Sequence, residues 1–262
     1  MYLIFDDVQD VARYTARQLY RVMARRPRAV LGLATGGTME PVYAELLALL
    51  AQQPLELSGL STFNLDEYVG LSPCHSQSYA YYMDQHLFRH LPLAAGQARV
   101  PNGIAADLAA ESSGYSGAIA AAGGLDLQLL GVGSNGHIGF NEPGTPFDAG
   151  THVVELSEQT RHDNARFFDA GEVVPCRAIT MGLRDILQAR ELLFVATGRS
   201  KAPIMEAIHG SAPSEQIPAT AIKTHARSCI VLDAAAAERL PAAAQQEARA
   251  LAREQLNAAA VA

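Results

Sequence analysis

Leu125-Asp-Leu-Gln-Leu-Leu-Gly-Val132 is an apolar run of strand length, and it empties directly into GSNGHIGFNEPGTP, residues 133–146. A short and nearly continuous apolar run reads as a strand buried on both faces, the kind found in parallel sheets. A polar, Gly-rich loop at its carboxyl end lies where open α/β sheets place their ligands. Outward from this strand the same alternation repeats. Upstream, Arg28–Ala34 (RAVLGLA) runs into Thr35-Gly36-Gly37-Thr38 and then a helix over Met39–Gln52, with Val42, Leu46, Leu47 and Leu50 on its apolar face. Leu60–Leu65 (LSTFNL) is a strand ending at Asp66-Glu67, Tyr2–Phe5 an edge strand, and Asp7–Ala24 a helix. A Tyr-rich helix opens at Ser76, and another covers Ala105–Ala122. Downstream, Thr151–Leu156 is extended and Ser157–Phe168 a polar helix. Ala178–Met181, Glu191–Ala196 and Arg227–Leu232 are strands, Ser200 opens a helix ending near Gly210, and the chain from Pro241 has helical propensity. Strands alternating with helices predict an α/β fold with a mostly parallel sheet and helices on both faces. No repeat or linker interrupts the 262 residues, so residues 1–262 read as one domain.

Apolar residues are 49% of the chain, ample for a core. The formal charge is −7, which argues against a nucleic-acid partner. It also means that a bound phosphate must be held by local donors rather than by the global field. Cys74, Cys176 and Cys229 are far apart and odd in number, which reads as reduced thiols in the cytoplasm. The start, MYLIFDDVQD, turns acidic too early for a signal peptide, and no apolar run reaches membrane-spanning length.

Three polar clusters follow strands. Thr35-Gly36-Gly37-Thr38 joins a strand to a helix, where glycines let the backbone approach an anion and the helix N-terminus offers free N–H groups. It is neither a Walker loop nor a dinucleotide fingerprint, and an ordinary strand–helix turn would read the same way. Asp66-Glu67 places two carboxylates at a strand end. One could be a base, or both could cap the next helix. Asn135-Gly-His-Ile-Gly-Phe-Asn-Glu142 sets His137 five residues before Glu142. A carboxylate partner orients a His and raises its basicity, which suits proton transfer near neutral pH. A metal would want a third ligand, which the spacing does not supply. Arg161, Arg166 and Lys201 complete the candidates. Cations at a helix start, as at Lys201, favour an anion there, although solvated surface charge reads equally well from spacing.

Together these segments resemble the glucosamine-6-phosphate deaminase family: LGLATGGT (31–38), TFNLDEYVGL (62–71), GVGSNGHIGFNEPGT (131–145), TRHDNARFF (160–168), AITMGL (178–183) and ATGRSKA (196–202). They keep the family's order and spacing across nearly the whole chain, and the second and third are the most specific. The resemblance implies a single-domain, modified Rossmann-like fold and an aldose–ketose isomerising hydrolase acting on a small sugar phosphate, with no metal and no organic cofactor. Asp66 would move a proton between C2 and C1 of the open-chain sugar. His137 would open the ring, Glu142 would pair with it, and Asn135, where some members carry Asp, would orient it. Thr35, Gly36, Gly37, Thr38, Arg166 and Lys201 would clamp the phosphate. Residues about 156–178 would form a mobile lid carrying Arg166. The TGGT loop is shared with 6-phosphogluconolactonases, and a galactosamine 6-phosphate deaminase would differ only in contacts to C4. A sugar-phosphate sensor would need a DNA-binding segment. Some members are hexamers activated by N-acetylglucosamine 6-phosphate between subunits, so a homo-oligomer is compatible with the chain. Where those members carry an Arg and a Lys, this chain has His152 and Val154, followed by Glu155.

Overall fold

A computed structural model describes residues 1–169 and 171–261, with side chains through Leu256. β1 (Tyr2–Phe5) leads into α1 (Val8–Arg25). The Asp7 side chain caps this helix by accepting from the Asp10 amide, and Val11, Thr15, Leu19 and Val22 form its buried stripe. β2 (Val30–Leu33), α2 (Glu40–Gln52) and β3 (Ser61–Asn64) follow. After them come β4 (Asp66–Tyr68), α3 (Tyr79–His86), β5 (Ala98–Arg99), α4 (Leu108–Ala121) and β6 (Leu127–Leu130). The second half runs β7 (His152–Glu155), α5 (Glu158–Ala165), β8 (Arg177–Thr180), α6 (Leu183–Leu187) and β9 (Leu192–Ala196). It ends with α7 (Ala202–Gly210), β10 (Ser228–Asp233) and α8 (Ala242–Val261).

Seven strands form one sheet in the order β1-β10-β9-β6-β2-β3-β5, parallel throughout. Every residue of β2, β6 and β9 is buried. Successive side chains point to opposite faces, so both faces of the central strands are covered. From β2 the chain builds outward through β3 to β5. It returns to the other side of β2 for β6 and then builds through β9 to β10. The order therefore reverses between β2 and β6, and the loops after these two strands open a crevice at the carboxyl edge.

The strands at Thr151–Leu156 and Ala178–Met181 do not join the parallel sheet. β4, β8 and β7 make a second, antiparallel sheet, in which Thr180 lies opposite both Asp66 and His152. Asp66 is thus not the end of β3. It is the first residue of a new strand, after the chain turns at Leu65, whose carbonyl receives the Met181 amide. A second apolar cluster of Tyr68, Phe140, Leu156, Val174 and Ala178 fills the space beside this small sheet. Among the described residues no helix is long and apolar enough to cross a membrane.

Candidate active site

Asp66 and Glu67 are both buried but have different surroundings. The Glu67 carboxylate accepts from the backbone amides of Tyr68, Tyr79 and Ala80 at 2.8–2.9 Å, so it anchors the start of α3. Among the described residues no group donates to the Asp66 carboxylate. Burial, and then the neighbouring Glu67 charge, push its pKa from 3.8 up to about 8. Burial raises Glu67 as well, against the lowering pull of its three amide bonds. Of the adjacent pair, one acid is committed to structure and the other is left poised for proton transfer.

The loop after β6 is held from several sides. The Phe140 amide donates to Thr180 Oγ1 at 3.0 Å, directly across the small sheet from Asp66. Asn141 Nδ2 donates to the carbonyls of Ile138 and Met181. The Ala219 amide bonds the Gly136 carbonyl, and the Gly144 amide bonds that of Glu215. These ties bring the His137 loop and Asp66 to one wall.

His137 is half-buried, its ring packed against Gly133. A Cβ at position 133 would lie 2.0–2.4 Å from three atoms of the imidazole, so only glycine admits the ring there. Burial lowers the His137 pKa; Glu142 opposes this, the Lys201 charge adds to it, and Asp163 opposes it. The ring is therefore neutral near pH 7, the form that can both accept and pass on a proton. Its Nδ1 stands 3.9 Å from Glu142 Oε2, within ion-pair reach but without a hydrogen bond. That oxygen is taken by Asn135 Nδ2 at 2.7 Å, while Asn135 Oδ1 accepts the His137 backbone amide at 3.1 Å. Asn135 thus sits between the two residues, one end on the Glu142 carboxylate and the other on the His137 backbone.

Glu142 has partners that the sequence does not signal. Its Oε1 accepts from Thr160 Oγ1 at 2.5 Å, from Ser157 Oγ at 3.2 Å and from the Ser157 amide at 3.4 Å. Ser157 is the N-cap of α5, so the carboxylate opposite His137 is also a mooring for that helix. α5 bridges the loop and the small sheet further: Ser134 Oγ donates to Asp163 Oδ2 at 2.6 Å, and Asn164 Nδ2 donates to the Tyr68 hydroxyl at 2.8 Å. The sequence reads Ser157–Phe168 as a polar helix, but what its first residues bind across space is not visible in it.

The phosphate-clamp candidates converge less tightly. Gly36 has φ +102, a left-handed conformation that turns the chain from β2 toward α2, and the Tyr82 hydroxyl fixes its carbonyl at 2.9 Å. Thr38 Oγ1 lies 3.5 Å from Thr197 Oγ1, which links the loop to the end of β9. Lys201 is half-buried, and its ammonium donates to the Val132 carbonyl at 2.8 Å. Burial lowers its pKa, the nearby Arg166 charge lowers it further, and Asp163 opposes both. Two cations held in range of each other are stabilised by an anion between them. Arg166 is exposed at the end of α5, its guanidinium 4.7 Å from the Phe167 ring centroid, and among the described residues that guanidinium donates to no acceptor. Arg161, also weighed from the sequence, has a buried Nε with no partner among the described residues. Among the described residues no group of three or more His, Cys, Asp and Glu is arranged to hold a metal.

The profile of a family described as glucosamine-6-phosphate isomerases/6-phosphogluconolactonase matches residues 6–231. The glucosamine-6-phosphate deaminase of Bacillus pumilus (strain SAFR-032) is 46% identical over 229 residues, 87% of this chain and 95% of that protein. That of Clostridium perfringens (strain 13 / Type A) is 41% identical over 238 residues, 91% of this chain and 98% of its own. A solved structure of a monomeric glucosamine-6-phosphate deaminase, 40% identical, superposes with a TM-score of 0.89 over 91% of this chain and 99% of that one. The 6-phosphogluconolactonase from Trypanosoma cruzi superposes with a TM-score of 0.72 at 18% identity, over 91% and 96% of the two chains, a likeness of fold alone. The profile covers most of the chain and the relatives align along nearly their whole length: this protein belongs to the glucosamine-6-phosphate isomerase/6-phosphogluconolactonase family.

Proposed function

We propose that this chain converts glucosamine 6-phosphate to fructose 6-phosphate and ammonia. The observation that carries the reading is Asp66, a buried carboxylate without a protein donor, its pKa pushed up to about 8, on the same wall as the neutral His137. Lactone hydrolysis needs no base matched to a carbon acid, whereas moving a proton between adjacent carbons does. Relatives at 41–46% identity bear the deaminase name, while the lactonase likeness stays at fold level.

In this reading His137 takes the anomeric hydroxyl proton and returns one to the ring oxygen, opening the pyranose. Glu142 stabilises the charge that appears on the imidazole, and Asn135 keeps the two in register. Asp66 removes the C2 proton, giving an enolamine, and delivers a proton to C1. The C2 imine that remains adds water, and the C–N bond breaks to leave the ketone and ammonia. The net change is deamination with aldose–ketose isomerisation, and hydrolysis enters only at the imine. Thr35 to Thr38 and Lys201 hold the phosphate. Residues 156–178 act as the lid, with Arg166 closing on the same group. The three cysteines are unpaired and suit a reducing cytoplasm.

The test is to incubate the purified protein with glucosamine 6-phosphate, without added metal, and to assay ammonia and fructose 6-phosphate together. Equimolar appearance of both is expected. Galactosamine 6-phosphate run in parallel reports the C4 preference. Lactone hydrolysis with no ammonia released would overturn the reading.

A further inference from the structure

Five of the chain's arginines meet at the end of the sheet opposite the candidate active site. Arg21 and Arg25 lie in the last turns of α1, Arg26 follows it, and Arg190 and Arg227 precede β9 and β10. With Asp126 and Glu191 they line a crevice of about 160 Å³, several times the ~30 Å³ share of one water. In a chain of net charge −7 this is a local reversal of sign, five guanidiniums against two carboxylates.

The carboxylates are already committed. Asp126 accepts from Arg26 at 2.7 Å and Arg190 at 3.0 Å, and its other oxygen accepts the Val30 amide at 2.9 Å, pinning β2. Glu191 pairs with Arg21 at 2.8 Å and with Arg227. Each pairing uses one nitrogen of a guanidinium that carries five N–H donors. Among the described residues the buried Arg21 Nε has no acceptor, and no carboxylate pairs with Arg25. Cations at the last turn of α1 complement the helix dipole, but that accounts for one or two charges of the five. The two carboxylates hold four of the arginines in place; Arg190 also donates to the Gly123 carbonyl at 3.2 Å, and the donors of the guanidiniums not used in these pairings are open to a ligand in the crevice.

We propose that this crevice is a second anion-binding site, built for a small phosphorylated compound. Planar guanidinium forks match phosphoryl oxygens two at a time, and a crevice of this volume suits one or two phosphoryl groups rather than a polymer. The site is distinct from the candidate substrate clamp. Asp126 and Val132 bracket β6 at its two ends, so the two anion sites lie about 20 Å apart along the strand. Both strands that connect them, β6 and β9, begin beside the arginines and end at the His137 loop and the Lys201 turn.

The probe is inorganic pyrophosphate, titrated calorimetrically at about 0.15 M salt so that long-range attraction is screened. Lys201→Ala protein serves as the background, because it weakens the substrate clamp and leaves the crevice intact. Saturable binding near one equivalent is expected, weakened about 10-fold by Arg25→Ala and lost in Arg25→Ala/Arg227→Ala. Arg25 supports no carboxylate, so its single variant decides the matter even where the double variant fails to fold. Turnover of glucosamine 6-phosphate by Arg25→Ala should match the unaltered enzyme, which separates this site from the proposed activity. Absence of saturable binding in the Lys201→Ala background, or binding indifferent to Arg25→Ala, would overturn the proposal.

Discussion

At the scale of single residues, the proposed role of Asp66 ties stability and turnover to one proton. Its folded pKa is raised from 3.8 to about 8, so the native state holds this proton more tightly than the unfolded chain does. The stabilisation from that proton is complete below about pH 4 and is lost as pH climbs through 8. Asp66→Asn removes the titration while keeping size. It should lose turnover by about 10²–10⁴-fold and still bind the phosphorylated sugar. It should also unfold at higher denaturant than the parent at pH 8, by up to about 5 kcal/mol (about 1.4 kcal/mol for each pH unit between the two pKa values), with the gain falling below about 1 kcal/mol at pH 4. Ammonia release, exchange of the C2 proton with solvent and chemical denaturation at the two pH values check this. Exchange at the parental rate would place the base elsewhere. The acid limb of kcat/KM in the unaltered enzyme should fall well above the ordinary carboxylate range, because the working form of Asp66 is the ionised one. Gly133 belongs at the same scale. Gly133→Ala drives a methyl into the His137 ring, so it should depress turnover with little loss of substrate binding, read as kcat against KM.

Elements show what a one-dimensional pattern can and cannot carry. Six of the seven strands of the parallel sheet were legible because residues buried on both faces leave nearly continuous apolar runs, as in Leu127–Leu130, whereas β5, only Ala98–Arg99, leaves no such run. β4, with its sequence Asp-Glu-Tyr, has no such run. Its place in a sheet comes from pairing with β8, more than a hundred residues away, and no local periodicity reports that. The candidate site behaves alike. The loop 135–142 announces His137 and Glu142, yet the hydroxyls of Ser157 and Thr160 that moor Glu142 arrive from α5 through tertiary packing. Thr160→Val keeps shape and removes one of those donors. It should lower kcat/KM by about 10-fold, the weight of one hydrogen bond to a charged group, and shift the pH profile through His137. An unchanged profile would mean that Ser157 and Asn135 suffice. The proposed clamp draws on the loop after β2, the end of α5 and the turn before α7. Lys201→Ala and Arg166→Ala should each raise KM for the phosphorylated sugar about 10–100-fold, and unphosphorylated glucosamine should be a very poor substrate. Equal handling of both sugars would refute the phosphate role.

At the scale of the whole molecule the question is whether a second phosphorylated sugar can regulate the first. Family members activated by N-acetylglucosamine 6-phosphate hold it with cations at positions that resemble His152 and Val154 here. In this fold those residues lie on β7, the edge of the small antiparallel sheet. His152 turns its Nδ1 to the Gly150 carbonyl at 2.8 Å. Val154 packs toward the second apolar cluster, and Glu155 beside it is exposed. None of the three offers a fixed positive charge, and Glu155 repels a phosphate. The C-terminal helix does not supply the missing cation through Arg249, which pairs with Asp6 at the end of β1. The arginine crevice sits at the opposite edge of the large sheet, away from β7. The expected outcome is a hyperbolic dependence of rate on glucosamine 6-phosphate, unchanged by millimolar N-acetylglucosamine 6-phosphate. Initial-rate curves with and without the effector measure it. Should the effector convert a sigmoidal curve to a hyperbolic one, repeating the pair of curves with Arg25→Ala/Arg227→Ala would show whether the crevice, rather than β7, is where it acts.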